Sequence, residues 1–415
     1  MIIHRAYKTE LDPNAAQRQK LVQAAGAARW AFNWGLRRKI ESYEQTGKSP
    51  SAMDLHKELV LLKNIPKEDG GAPWLYEVSK SVAQESLRNL DGAYKNFFHR
   101  VKAGGKPGFP KFKSRHRGEM KFNLICNDWK VRSNGIFLPH IGWVKLKEHG
   151  YLPIDTHVLG ATISERAGRW FVSLRVREEI QDPPRPTGEP VGIDVGVKTL
   201  AVISDGTIFE NPRALRAAER KLAHAQRSLA RKQKGSSNRK KAKAKIAKIH
   251  FKVVNIRKDS LHKATTGVIA KRPSAIGIES LNVKGMVKSH SLAKAVSDAS
   301  MAEFLRQIEY KAAWAGIPVV KADRFFPSTK TCSGCGEKRD MPLSEREYRC
   351  EACGLAIDRD LNAALNLRAL AAGYAEDACG GDVSPSRTYV LEAAPAKQEL
   401  SGAQHCALAG KQNET

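Results

Sequence analysis

Two short apolar runs in this chain each carry a bare carboxylate. "VGIDVGVKTL" sets Asp194 in the middle of a strand-like run, and "AIGIES" ends a second run in Glu279. Burying an unpaired carboxylate costs several kcal/mol, so neither run can join a core unless something cationic meets its acid. A third acidic position, Asp358 and Asp360 in "LAIDRDLNAALNL", opens a helix whose apolar face reads as Leu361, Ala364 and Leu365. Acids from three separate elements repel one another unless a cation bridges them. Oxygen ligands with no histidine nearby in sequence select Mg2+ or Mn2+ over zinc. Two such ions about 3.5–4 Å apart can activate water and stabilise the leaving oxygen of an in-line attack on a phosphodiester. Taken singly, each acid has a plainer explanation: Asp194 could cap a turn, Glu279 could pair with a lysine of the basic helices, and Asp358 or Asp360 could be a helix N-terminal charge.

The charge balance points to the partner. Lys and Arg number 70 against 43 Asp and Glu, a net +27, which recruits polyanions: nucleic acid first, anionic membrane second. Much of it sits on one segment, Arg213 to Lys263, with 18 basic and two acidic residues, a net +16. Apolar seams at Leu215, Ala218, Leu222, Ala225 and Leu229, then Ile246, Ile249, Val253 and Ile256, flank "KGSSN" and predict two antiparallel helices. A hairpin so charged repels itself without a polyanion, so it reads as a nucleic-acid surface, Lys240 and Lys241 included. In "GGKPGFPKFKSRHRGEMKF", Lys106, Lys111, Lys113, Arg115 and Arg117 alternate with Phe109 and Phe112, a mixture suited to phosphate contact and base stacking, although a solvated loop would look similar.

A chain of 415 residues calls for two to four domains. A strand-like start, Ile2 to Leu11, leads to Asp12-Pro13, read as an N-cap and first helical residue, and to apolar positions at helical spacing from Leu21 to Leu36. Helices follow over 51–63 and 77–102. Beyond the Gly- and Pro-rich break the text alternates: "KVRSNGIFLP" offers Asn134-Gly135 as a turn, and "ATISERAGRWFVSLRVRE" sets Val172, Leu174 and Val176 against Ser173, Arg175 and Arg177. A half-buried sheet or small barrel fits. "QDPPRPTGEP", 181–190, reads as a linker, and three short strands with a turn at Asp205-Gly206 follow it. No run of eighteen apolar residues exists and the N-terminus is charged, so the expectation is a soluble, cytoplasmic protein with no membrane contact.

Seven cysteines, an odd number, argue against a disulfide framework and for a reducing compartment. Cys126, Cys379 and Cys406 are scattered, but Cys332-x2-Cys335 and Cys350-x2-Cys353 stand fourteen residues apart. Two such pairs make a four-thiolate zinc ribbon, with a redox dithiol pair or iron–sulfur ligation as the other uses of the pattern. With all four tetrahedral positions filled, the zinc would be structural, holding a loop beside the acidic site.

"GIDVGVKTLAV", "IGIESLNV", "FFPSTKTCSGCG", "YRCEACG" and "DRDLNAALNL", in that order and with a basic helical insertion between the first two, resemble the TnpB (OrfB) family. These are transposon-encoded RNA-guided nucleases related to the type V CRISPR effectors. The resemblance continues through "LDPNAAQRQKL", "SLRNLDGAYKNFF" and "GFPKFKSR", so it covers residues 1 to about 375. It implies a multidomain α/β chain: an RNase H-like (RuvC) nuclease domain over 191–326 and 357–375, a zinc ribbon over 327–356, a helical recognition lobe over 11–107, and a wedge β-barrel from 1–10 and 108–180. The catalytic residues it implies are Asp194, Glu279 and Asp360, with Asp358 a bystander or a support. The implied partners are a guide RNA from the transposon end and double-stranded DNA beside a short flanking motif, both strands being cut by one site in a monomer with one RNA, in a bacterial or archaeal cell. Lys80 and Gln84, in "EVSKSVAQESL", match positions that in the family approach the flanking DNA. A tyrosine of the family pattern is missing near Ala52, which leaves the motif open.

After Tyr374 the chain has six acidic and three basic residues and little periodicity, the composition of a disordered tail over 376–415. Three rival readings use the same parts. A nuclease-inactive, RNA-guided repressor would lack a triad acid, and all three are present. A guide-independent RuvC-type endonuclease needs neither helical lobe nor ribbon. A strand-transferring transposase shares the metal chemistry.

Overall fold

Burial alternates along Ile2–Asp12, and this stretch forms one eleven-residue strand, β1, directly before the 32-residue helix α1 (Ala15–Thr46). The computed structural model describes residues 1–115, 119–125, 129–154, 156–342 and 344–377; Arg117, Cys126, Cys379, Cys406 and the expected tail from 378 onward lie outside them. The chain divides into two units between Ile180 and Gln181.

The cap of α1 is Asn14, not Asp12. Asn14 Oδ1 accepts from the Gln17 N–H at 2.9 Å and Gln17 Oε1 accepts from the Asn14 N–H at 3.1 Å, a reciprocal box that Asp12, paired with Lys145 in the sheet, cannot make. Ser51 and Asp54 form the same box ahead of α2 (Ala52–Lys63). Helix α3 (Lys80–Lys102) starts three residues later than its periodicity suggests, because Pro73–Glu77 is wound into a 3-10 turn. Leu21, Leu36, Leu55, Leu59, Leu87 and Leu90 are fully buried where the three helices pack.

The sheet of this unit adds β2 (Lys121–Leu124), β3 (Val131–Arg132), β4 (Gly135–Leu138), β5 (Gly142–Leu146), β6 (His157–Arg166) and β7 (Arg169–Glu179), in the order β2-β6-β7-β1-β5-β4-β3. All neighbours are antiparallel. Ala167 and Gly168, both at positive φ, make the two-residue turn between β6 and β7. Val172, Leu174 and Val176 point inward as the alternation requires. The turn read at Asn134-Gly135 falls one residue earlier, on Ser133-Asn134, since Gly135 already pairs with Arg132. The expected closed barrel does not form among the described residues. β2 pairs only with β6 and β3 only with β4, and with four and two residues these edges offer too short a ladder to close.

In the second unit β8 (Val191–Asp194), β9 (Thr199–Ile203), β10 (Ile208–Glu210), β11 (Ile276–Ile278) and β12 (Val319–Lys321) form a sheet in the order β10-β9-β8-β11-β12. The first three are antiparallel; β8, β11 and β12 are parallel. Two helices, α4 (Ala214–Ala230) and α5 (Ser237–Ala270), join β10 to β11. Three more, α6 (Val283–Met286), α7 (Ala293–Ala299) and α8 (Met301–Trp314), join β11 to β12. A two-stranded ribbon, β13 (Glu347–Arg349) and β14 (Ala356–Asp358), precedes α9 (Arg359–Asp377). Val191, Ile193, Ile276 and Ile278 face one side of the sheet and share a core with Leu261, Val268, Phe304 and Ile308 of α5 and α8.

The basic hairpin is built as its two seams predict, although α5 runs seven residues past Lys263 and the seam is thinner. Ala225, Ile249 and Val253 are buried, whereas Ile256 is exposed. Buried Asp298 anchors its base, accepting from the Leu215 and Arg216 N–H groups at the start of α4 and from the Arg257 guanidinium at 2.6 Å.

Candidate metal centres

Residues two apart on a strand face the same side of a sheet. "GID" and "GIE" therefore each place a glycine and an acid on one face, opposite the Ile193 and Ile278 core. The parallel register pairs Gly192 with Gly277 and Ile193 with Ile278, which leads Asp194 and Glu279 out of adjoining strands together. Helix α9 covers this face. A Cβ on Gly192 would come 1.9 Å from the Ala364 carbonyl oxygen and one on Gly277 2.1 Å from that of Leu367, so only glycine admits the helix so close. The step from Gly192 to Asp194 is about 6.6 Å along a strand, and that from Ala364 back to Asp360 about 6 Å along a helix. The first turn of α9 thus brings Asp360 to the level of Asp194. The buried stripe of α9 is Ala363, Ala364, Leu367 and Ala371, not the expected Leu361 and Leu365, because small residues must lie over the glycine pair.

Asp194, Glu279 and Asp360 are all half-buried. Burial pushes the Asp194 carboxyl well above its ordinary value of 3.8; Glu279, Asp360 and Asp358 push it further, against a smaller pull from Arg359. Within the chain each neighbouring acid has a partner. The Ser328 hydroxyl donates to Glu279 Oε1 at 2.5 Å, and this, not a lysine of the basic helices, is what meets that carboxylate. Asp360 Oδ1 accepts from Arg359 at 3.2 Å, with Arg346 at 3.9 Å from Oδ2. Asp358 stands apart: its Oδ1 accepts from the N–H groups of Asp360 and Leu361 at 2.9 and 3.1 Å and so caps α9. Glu279 and Asp360 lie near enough to act on Asp194 electrostatically, and carboxylates with no histidine suit a hard divalent cation, although among the described residues only the cysteine sulfurs gather within 4.8 Å of one another.

The four cysteines come together as their spacing predicts. Cys332 and Cys353 sulfurs lie 3.6 Å apart, Cys335 and Cys350 sulfurs 3.5 Å, and all four fall within 4.8 Å of one another. Zn–S bonds of about 2.3 Å in a tetrahedron put sulfurs about 3.8 Å apart, so the set fits zinc. The two pairs are built alike. Cys332 donates to the Glu337 carbonyl and accepts back from Gly336, and Cys350 does the same with Leu355 and Gly354; both glycines have positive φ. The Cys353 N–H draws the Cys350 thiol down to about 7. Cys335 is pushed up to about 12: the Glu337 N–H favours its thiolate, but the Cys350, Cys353 and Cys332 sulfurs hold its proton in place. Four neighbouring thiols cannot all ionise without a cation, which zinc would supply. Tyr348, fully buried under the ribbon, donates to the Lys330 and Glu337 carbonyls.

Of the nucleic-acid candidates, Lys80 is exposed at the start of α3 with half-buried Gln84 one turn on, and Lys240 and Lys241 are exposed on α5. Lys111 and Arg115 are exposed; Lys113 packs over the Phe32 ring at 3.8 Å while Asn33 holds its backbone. Phe109 is edge-on to Tyr94 and Phe97, and both it and Phe112 are exposed. Five contributors escape a reading of the sequence: the glycines of "GID" and "GIE", Ser328, and the buried Asn362 and Asn366 of α9. The glycine–acid repeat was the available signal for the first two positions. No signal marked the others.

A family described as "Probable transposase" (OrfB_IS605) matches residues 173–290, "Cas12f1-like, TNB domain" matches 302–367, and "Helix-turn-helix domain" matches 1–48, where the structure has one strand and one helix. The "Putative RNA-guided DNA endonuclease InsQ" of Escherichia coli K12 is 34% identical, covering 95% of this chain and 97% of its own. A "Putative RNA-guided DNA endonuclease" of Streptomyces pristinaespiralis is 35% identical over 93% of each chain. Among solved structures, the mini-RNA-guided endonuclease CRISPR-Cas_phi3 aligns over 89% of this chain and 92% of its own at 9% identity, with a TM-score of 0.44.

Proposed function

The chain belongs to the TnpB (OrfB) family of transposon-associated proteins, and on that premise we propose that it is an RNA-guided endonuclease that hydrolyses both strands of DNA beside a short flanking motif. The observation that carries this reading is that Asp194 and Glu279 leave adjoining strands on the face that α9 covers, with Asp360 in the first turn of α9 and both other acids raising the Asp194 carboxyl. Three antiparallel strands followed by two parallel ones, with acids leaving β8 and β11, support an RNase H-like (RuvC) assignment for that unit. Bound at the three carboxylates, Mg2+ or Mn2+ would activate water and stabilise the leaving oxygen. The chain's own share is geometric. The glycine pair seats α9, α9 delivers Asp360, and Arg359 and Arg346 keep positive charge beside the acids where a phosphate would come.

Zinc held by Cys332, Cys335, Cys350 and Cys353 would be structural, with no position left open for substrate. The α4–α5 hairpin, with Lys240 and Lys241, offers its exposed basic face to the guide RNA, whose base pairing would choose the target. Lys80 and Gln84 would approach the flanking motif, and Lys111, Lys113 and Arg115 the phosphate backbone. The open sheet of the first unit takes the place of the wedge, its helices that of the recognition lobe, and the working particle is one chain with one RNA in the cytoplasm.

The test is to purify the chain from cells carrying its downstream DNA, sequence the bound RNA, and challenge the complex with plasmids bearing a matched target beside randomised flanks. Cutting at one flank motif, lost with EDTA and in Asp194→Ala, is expected. A defined RNA with target binding but no cutting would make the protein a repressor. Motif-independent cutting without RNA would make it a guide-free nuclease.

A further inference from the structure

Glu279 is pinned at its backbone but not, by that alone, at its carboxylate. The strand before it is paired on both sides, the Ala322 N–H donates to the Ile278 carbonyl at 2.8 Å just before it, and the Ser280 hydroxyl donates to the Ala322 carbonyl at 2.7 Å just after it. Its side chain still has three torsions to fix, and ordering a glutamate costs up to about 2 kcal/mol. The Ser328 hydroxyl does the fixing: it takes one lone pair of Oε1, and among the described residues Oε2 has no hydrogen-bond partner.

Ser328 is itself buried and held by its backbone: its N–H donates to the Phe326 carbonyl at 2.9 Å, and its carbonyl is met from α9. Asn366 Nδ2 donates to the Ser328 carbonyl and to the Thr331 carbonyl, both at 2.7 Å. One turn earlier on α9, Asn362 Nδ2 donates to the same Thr331 carbonyl at 2.8 Å, while its Oδ1 accepts at 2.9 Å from the N–H of Ser333, between Cys332 and Cys335. Asn362 is fully buried and Asn366 nearly so, where an unpaired amide would be costly, yet these bonds satisfy their Nδ2 groups. A single helix thus carries Asp360 on one stripe and a clamp on the ribbon on another.

We propose that Ser328 is a positioning residue for Glu279, and that Asn366 and Asn362 make its position depend on the folded zinc ribbon. The zinc-bound turn then serves the acidic site through a chain of contacts: with zinc in place, the turn containing Cys332 and Ser333 and helix α9 fix Thr331 and Ser328, and Ser328 would aim the carboxylate at a divalent ion. The idea rests on the carboxylate-site reading above. Outer partners of metal ligands change ion affinity by about 10–100-fold, which sets the scale of the test.

The experiment titrates Mn2+ by electron paramagnetic resonance into the full-length chain freed of RNA, with zinc content measured alongside. Ser328→Ala is expected to weaken the Glu279-dependent Mn2+ site about 10-fold while zinc stays bound, and Ser328→Thr, which keeps the hydroxyl, to restore it. Cys350→Ser, which loses zinc, is expected to weaken the same site, and to add little when combined with Ser328→Ala, since both break one chain of contacts. Unchanged Mn2+ binding in Ser328→Ala, or full additivity with Cys350→Ser, would overturn the relay. Mn2+ binding that survives Glu279→Gln intact would instead sink the carboxylate site and leave the relay without an object.

Discussion

The two candidate metal centres are built on opposite principles. The ribbon is local: its four ligands lie within 22 residues, and each pair organises itself with the same two backbone hydrogen bonds and a glycine at positive φ. The carboxylate site is assembled from a distance, with 84 residues between Asp194 and Glu279 and 80 between Glu279 and Asp360. Nothing near any one acid in sequence holds it; strand register, two glycines and a helix stripe do. A centre of the first kind carries its own stability. One of the second kind borrows stability from the sheet and, without a cation, works against it.

Substitution should separate the two most sharply in cleavage. Asp194→Ala, Glu279→Ala or Asp360→Ala removes a ligand at the proposed reacting centre, where several kcal/mol of transition-state stabilisation reside, so plasmid cutting should fall by about three orders of magnitude or more. RNA binding should hold, and retained cutting in any of the three removes that residue from the site. Cys350→Ser should do the reverse in kind. Zinc content drops and the ribbon melts, with cleavage lost as a consequence, because structural zinc is itself folding free energy. Full zinc occupancy in Cys350→Ser would show that the four sulfurs do not share one ion.

Gly277→Ala probes the borrowed framework directly. The new methyl meets the Leu367 carbonyl at 2.1 Å, a backbone atom that cannot swing aside. A loss of about 1–3 kcal/mol is expected, or about 2–4 °C in melting temperature per kcal/mol. Cleavage should fall by up to about 100-fold, because a shift of 1 Å at Asp360 suffices for that. Wild-type melting and cutting would show that α9 is not seated on the glycine pair.

The same contrast decides what could be read from the sequence. The ribbon was legible because its spacing is its geometry. Asp194, Glu279 and Asp360 could be suspected singly and gained weight only as a set. Gly192 and Gly277 were invisible as partners until the register paired them, and Ser328, Asn362 and Asn366 look like ordinary polar residues until three elements meet. Where two local signals competed, packing chose: Asn14 over Asp12 as the cap of α1, and Ala363 and Leu367 over Leu361 and Leu365 as the face of α9. The barrel failed for a related reason. Alternation shows which face of a strand is buried, but closure depends on edge length, and β2 and β3 are short.

The smallest effect tests whether the acid site strains the ion-free chain. The Asp194 carboxyl is held well above 3.8 by burial and by its acidic neighbours, so the folded state binds its proton more tightly than the unfolded chain does. A raised value favours folding fully at pH below the unfolded value, and that contribution is lost as pH rises through the folded one. In chelator, therefore, the wild-type melting temperature should decline as pH climbs above about 4, the ordinary carboxylate range. Asp194→Asn, which stays neutral, should flatten that decline and melt a few degrees higher at pH 7.5, the two proteins converging toward pH 4. Adding Mg2+ at pH 7.5 should raise the wild-type value and leave Asp194→Asn nearly unmoved, because the ion relieves a repulsion the variant no longer has. Parallel melting curves for the two proteins across this pH range would mean that the three carboxylates coexist without strain, and the contrast between a self-supporting ribbon and a borrowed acid site would lose its energetic half.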